Sequence, residues 1–203
     1  MSCGSKVSDL GGRPPGLPLA GFSVSDYISG MVVRKRLELT GPAVAFVTTT
    51  IVDWLPLFSL EKPSVIAIEE FRTTLEVYRV SVFGYVLMPS HLHAILSFAE
   101  IQQLSGFVQC FKSVSSRRIK QIDLSLYQAF FWREGKFRLW KPRFDDFIIR
   151  DKEQFEMKLN YIHENPVRAG LVTEAIDYKY SSARTWQLGE TGPIEIQTDI
   201  GFW

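Results

Sequence analysis

Apolar and polar positions along the chain change their period several times, and each change predicts an element. "AVAFVTTTIV" (43–52) is a β-branched, apolar run of the kind that forms a buried strand. From Lys62 to about Tyr78, Val65, Ile66, Ile68, Phe71, Leu75 and Val77 form an apolar stripe among charged positions, which predicts an amphipathic helix. "YRVSVFGYVLM" and "HLHAILSF" predict two strands of a hairpin joined by a Pro-Ser turn. A second helix is expected over 101–121, with Leu104, Phe107, Val108, Phe111, Val114 and Ile119 inward. A short strand is expected near 143–149, at a sheet edge because Pro142 cannot donate to a ladder. Asp151, with Gln154 three residues on, reads as the cap of a third helix, which Pro166 is expected to end.

Beyond 171 the pattern is irregular. At the other end, the Gly- and Pro-rich "GGRPPGLPLAG" cannot sustain a helix or strand, which predicts a disordered leader over residues 1–30. One domain is expected over 31–186, followed by a C-terminal tail over 187–203. The element order strand, helix, strand, strand, helix, strand, helix is that of a split β-α-β arrangement. The expected class is α+β, a ferredoxin-like antiparallel sheet with helices packed on one face.

Side-chain alternation adds chemistry to this outline. His91 and His93 flank Leu92 in a predicted strand, so both imidazoles point to one side. Two neutral imidazoles on one face are a common way to hold a metal ion, and equally a pair of satisfied core histidines. On the third helix, Phe155, Leu159 and Ile162 define a buried stripe. Tyr161 and Asn165, four apart, stack at its edge with Lys158 beside them, while His163 falls on the other flank.

Composition changes the picture little, and charge distribution more. The 203 residues are 46% hydrophobic with a net charge of +1. Between Lys112 and Arg143, however, nine basic residues stand against two acidic ones, a local net of +7. That split predicts a surface facing a polyanion. Tyr127, Phe130, Phe131, Trp132, Phe137, Trp140, Phe144 and Phe147 alternate with these bases, a combination suited to stacking unpaired nucleobases. The expected DNA contacts are Lys112, Arg117, Arg118, Arg133, Lys136, Arg138, Trp140, Arg143 and Lys158, with Trp132 a second stacking candidate. No apolar run approaches the roughly 18 residues that span a bilayer, so no membrane partner is expected. Two cysteines, one in the leader, give little scope for disulfides, and a cytoplasmic location is expected.

"YVLMPSHLHAIL", "WKPRFDDFIIRDKEQFEMKLNYIHENPVRAGLV" and "YKYSSA" together resemble the REP-associated tyrosine transposases, single-tyrosine members of the HUH nuclease superfamily. The resemblance covers roughly residues 31–186, and "YIHENPVRAGLV" is its most specific part. It implies a transposase-like endonuclease and strand transferase that cuts single-stranded DNA near hairpins through a 5′-phosphotyrosine. It further implies Tyr161 as nucleophile, His91 and His93 as metal ligands and Asn165 as a third ligand. Two departures stand out: Asn165 replaces the glutamine of the insertion-sequence branch, and Ser90 replaces the asparagine of the usual "MPNH" turn. Mixed nitrogen and oxygen ligation suits Mg2+ or Mn2+. Structural zinc is an alternative, but it wants four ligands and only Cys110 and His163 are spare. Single-stranded or hairpin DNA is the implied partner, and a homodimer is compatible with the resemblance. The competing reading is a nucleic-acid-binding regulator that keeps the fold without the chemistry.

Overall fold

A computed structural model describes residues 39–124 and 127–201. The leader expected over 1–30 lies outside the described residues. Strand β1 (Ala43–Thr50) leads through two short 3-10 turns into helix α1 (Glu61–Tyr78). The hairpin follows as β2 (Ser81–Met88) and β3 (His91–Phe98), then α2 (Gln103–Lys120). A short helix α3 (Gln128–Phe131) precedes a small ribbon, β4 (Trp132–Arg133) and β5 (Lys136–Phe137). Glu134 and Gly135 both have positive φ at its turn, the backbone twist that two-residue hairpins require. Strand β6 (Asp145–Ile149), helix α4 (Lys152–Arg168) and helix α5 (Ala183–Leu188) complete the order.

The main sheet runs β2-β3-β1-β6, with every neighbouring pair antiparallel. The expected α+β class and antiparallel sheet are therefore observed, with β6 at an edge. The helices, however, cover both faces. Ala45, Val47, Leu92, Ala94 and Leu96 meet α1 and α2 through Phe71, Leu75, Phe107 and Phe111. Val44, Phe46, Val86 and Ile95 meet α4 through Phe155 and Ile162. The reason is visible in β2, where seven consecutive residues from Val82 to Met88 are buried, as a strand covered on both sides must be.

Two further expectations are corrected. Helix α4 continues through Pro166 to Arg168 instead of ending there. Pro166 is itself buried, and the turn beyond it closes when the Ala169 N–H donates to the Asn165 carbonyl at 2.9 Å. The boundary drawn at residue 187 falls inside α5, and the supposed tail belongs to the domain. Ile194 is buried in the core, and the Gln197 N–H donates to the Val82 carbonyl at 2.8 Å. The Leu87 N–H donates to the Tyr180 carbonyl and the Ser182 N–H to the Tyr85 carbonyl, so irregular chain covers the outer edge of β2.

Candidate functional site

The site forms on the sheet face under α4, where cross-strand register lines up three polar side chains. Thr48 on β1 lies opposite His93 on β3 and opposite Asp145 on β6, and Thr50 lies opposite His91. His91 and His93 share that face as alternation requires, with ring centroids 4.6 Å apart.

Each imidazole is held by a hydroxyl at Nδ1: Thr48 Oγ1 at 2.7 Å from His93, and Ser90 Oγ at 3.0 Å from His91. With the proton on Nδ1 the ring donates to the hydroxyl, and Nε2 keeps a lone pair. Burial pushes His91 down to about 4. Burial first, then the repulsion from His91 were both rings protonated, then the nearby positive charges of Lys158 and Arg168, keep His93 well below the ordinary histidine range. Both rings are therefore neutral near pH 7, the form that binds metal.

Helix α4 brings the tyrosine. The Tyr161 ring lies edge-on 5.4 Å from His93 and 6.0 Å from Phe46, and the residue is 39% exposed. Arg168 lies on the same side of α4, its guanidinium 4.8 Å from the Tyr161 ring centroid and its Nη2 donating to the Tyr161 carbonyl at 2.8 Å. Lys158 places its ammonium 4.8 Å from the Phe46 ring and 4.9 Å from the Phe147 ring, and burial lowers its pKa. Asn165 sits one turn beyond Tyr161, and its Nδ2 is buried without a hydrogen-bond partner. His163, on the opposite flank, bonds Ser182 Oγ at 2.9 Å and ties α4 to the segment that edges β2.

The donor set fits a divalent cation in one respect that a packed histidine pair would not show. His93 Nε2 is buried with no partner, at a cost of about 1–3 kcal/mol for an ordinary polar atom left so. The unpaired atom of Asn165 is its amide Nδ2, a hydrogen-bond donor, so the fit to a cation rests on His93 Nε2 and only the Oδ1 of Asn165 could join it. Among the described residues no cluster of three His, Cys, Asp or Glu side chains forms, so a cation here would rely on the two imidazoles and an amide.

The basic stretch is less free than its composition suggests. Arg118 pairs with Glu69 and Glu70 at 2.8 and 2.7 Å, Arg133 with Asp53, and Arg138 with Glu134 at 3.1 Å. Lys112 donates to the backbone carbonyls of Lys141 and Arg143, both at 2.9 Å, and so holds that loop. The expected stacking role of Trp140 is corrected. The residue is 6% exposed, packs against Phe58 and Phe111, and donates through Nε1 to Ser115 Oγ, so neither ring face is open to a base. Trp132 is exposed, with the Lys120 ammonium 4.7 Å from its ring, and Arg117, Lys136 and Arg143 are exposed.

Sequence reasoning missed Thr48, Ser90 and Arg168 as partners of the site. Arg168 was accessible: seven residues after Tyr161 is two helical turns on the same face. Thr48 was not, since its partnership depends on a register between strands 45 residues apart.

Comparison with known proteins bears on the family and the fold. The family described as "Transposase IS200 like" matches residues 64–165, the span from α1 through Asn165. A Haemophilus influenzae protein named "Putative REP-associated tyrosine transposase" is 28% identical over 122 residues, 57% of this chain and 68% of that protein. The "REP-associated tyrosine transposase" of Escherichia coli K12 is 26% identical over 117 residues, 58% of this chain and 62% of its own length. A solved REP-associated tyrosine transposase bound to a REP hairpin superposes with a TM-score of 0.60 at 18% identity, over 79% of this chain and 89% of that one, a likeness of fold. From the match across half its length, this chain belongs to the IS200-like transposase family.

Proposed function

We propose that the protein is a metal-dependent endonuclease and strand transferase acting on single-stranded DNA beside a hairpin, with Tyr161 as its nucleophile. One observation carries the reading: a half-exposed tyrosine ring stands 5.4 Å from a buried imidazole whose Nε2 has no protein partner. His91, His93 and Asn165 would hold a divalent cation, Mg2+ or Mn2+, which polarises the scissile phosphate and neutralises developing charge. Thr48 and Ser90 engage Nδ1 of the two rings and so leave each Nε2 for the cation.

The reaction is a transesterification. Tyr161 Oη attacks phosphorus and loses its proton, the bond to the 3′ oxygen breaks, and that oxygen leaves as a 3′-hydroxyl. The 5′-phosphotyrosine preserves the phosphodiester energy, so a second 3′-hydroxyl can reverse the step and join strands. Arg168, with its guanidinium over the Tyr161 ring, steadies the tyrosine, and Lys158 adds positive charge beside the phosphate path. The hairpin in the substrate is suggested by the solved relative, which was captured with one.

Incubation with labelled hairpin DNAs bearing unpaired flanks, with Mg2+, Mn2+ or EDTA, tests this on a denaturing gel. The expected result is a metal-dependent protein–DNA adduct that disappears in Tyr161→Phe. An adduct that persists in Tyr161→Phe contradicts the assignment. Salt-sensitive binding without any adduct favours a binder that has lost the chemistry.

A further inference from the structure

Beside His91, away from α4, an open cleft of about 420 Å3 lies between Trp54 and the 141–145 segment. Its floor is Thr48 and Thr50, on the face that carries both histidines. Trp54 is 56% exposed and meets His91 edge-on with ring centroids 5.6 Å apart. The ring is open to the cleft, and the backbone that presents it is unusual. Asp53 and Trp54 both adopt positive φ, 55° and 58°, a region bulky residues rarely enter and one that concentrates at functional sites. Arg133 pairs with Asp53 and holds this turn.

The opposite wall is equally built. Lys112 anchors the carbonyls of Lys141 and Arg143, and the Lys141 N–H donates to the Thr50 carbonyl at 2.8 Å. The Lys141 ammonium stands 4.4 Å from the Trp54 ring centroid, and Arg143 is exposed at the rim. Asp145 supplies a carboxylate in the same cleft as the cations Lys141 and Arg143.

We infer that this cleft is a subsite for one unpaired guanine of the DNA flank, an inference that rests on the function proposed above. The volume lies within the roughly 300–1,000 Å3 of small-ligand pockets. The base stacks on Trp54, and its phosphate meets Lys141 and Arg143. Asp145 selects the base: a carboxylate offers two acceptors side by side, and guanine alone presents two adjacent N–H donors on its pairing edge. Because Trp54 itself contacts His91, a base stacked on it lies next to the reacting phosphate, so the subsite sets where the strand is cut.

The test uses the full chain as Tyr161→Phe, so that DNA binds without being cut. Hairpins with unpaired flanks are titrated by fluorescence anisotropy, each flank position in turn made abasic or replaced by each of the four bases. Loss of the base at one position is expected to weaken binding on the order of tenfold in this chain. The same loss has no effect once Trp54→Gly is added, whereas Trp54→Phe retains the penalty. Glycine suits the positive φ, so Trp54→Gly keeps the thermal midpoint and its effect is not unfolding. Asp145→Ala abolishes the preference for guanine at that position. The subsite is overturned if Trp54→Gly leaves every titration unchanged, if another base is preferred, or if Trp54→Gly alters only self-association. In those cases adduct formation by Tyr161 in the parent chain leaves the proposed function standing. A parent chain that binds no DNA overturns both.

Discussion

Burial keeps all three histidines neutral, and this has a consequence for stability. His163, bonded to Ser182 beneath α4, is pushed down to about 4 by burial. An unfolded chain takes up that proton near pH 6.5, whereas the folded chain refuses it until about pH 4. The unfolded state therefore binds more protons between these values, and stability, full above the unfolded value, is lost as pH falls through this window. The limiting slope is about 1.4 kcal/mol per pH unit for each such histidine. Urea midpoints measured at pH 7.5, 6.0 and 5.0 should fall progressively, and His163→Gln should flatten the fall. At this scale the facing of His91 and His93 was legible from strand alternation alone. The hydroxyls at their Nδ1 atoms were not, since Thr48 reaches His93 only through cross-strand register.

Helix α4 lies as close to the sheet as it does because β2 has no side chain at Gly84. A Cβ there would stand 2.7 Å from Leu159 Cδ1 and 3.5 Å from Ser182 Oγ. Gly84→Ala displaces a leucine methyl that can turn aside, at a cost of about 1 kcal/mol. Gly84→Val leaves no such escape and should cost ~1–3 kcal/mol while lifting α4 from the face that carries His93. Its signature is adduct formation that falls further than the loss of folded protein explains, measured well below the melting temperature. A fall matching the folded fraction would mean that the helix position is not what Gly84 protects. The periodicity of α4 made the ledge of Lys158, Tyr161 and Asn165 legible, but not the persistence of the helix past Pro166. The local rule against an internal proline was outweighed by burial of the proline itself.

For the whole molecule, the basic segment binds a polyanion only through charges that the fold has not already balanced. Arg118 bridges Glu69 and Glu70, and so locks α2 to α1. Lys136 is exposed on the small ribbon. Lys136→Ala should reduce the salt dependence of DNA binding by up to about 0.7 in log–log slope, the share of one phosphate contact on a single strand. Arg118→Ala should reduce it by less, because removing that arginine also releases two carboxylates. Equal slopes for the two variants in titrations from 50 to 300 mM salt (roughly the range where such slopes are linear) would mean the ion pairs open on binding.

What the amino-acid sequence by itself determined was local and periodic. It set the four strands of the main sheet and the three long helices over nearly their observed spans, though not the β4–β5 ribbon or the short helices α3 and α5. It also placed two imidazoles on one strand face, and put a tyrosine and an amide one helical turn apart. Those follow from alternation and helical pitch, which need no knowledge of distant residues. Tertiary structure decided which segments meet. It covered both faces of the sheet with helices, drew Trp140 into the core and turned Lys112 into a tie for the cleft wall. It also paired three of the arginines and aligned His93, Thr48 and Asp145 across three strands. Each depends on packing between segments tens of residues apart, where burial and register act on side chains that local pattern cannot tell from exposed ones.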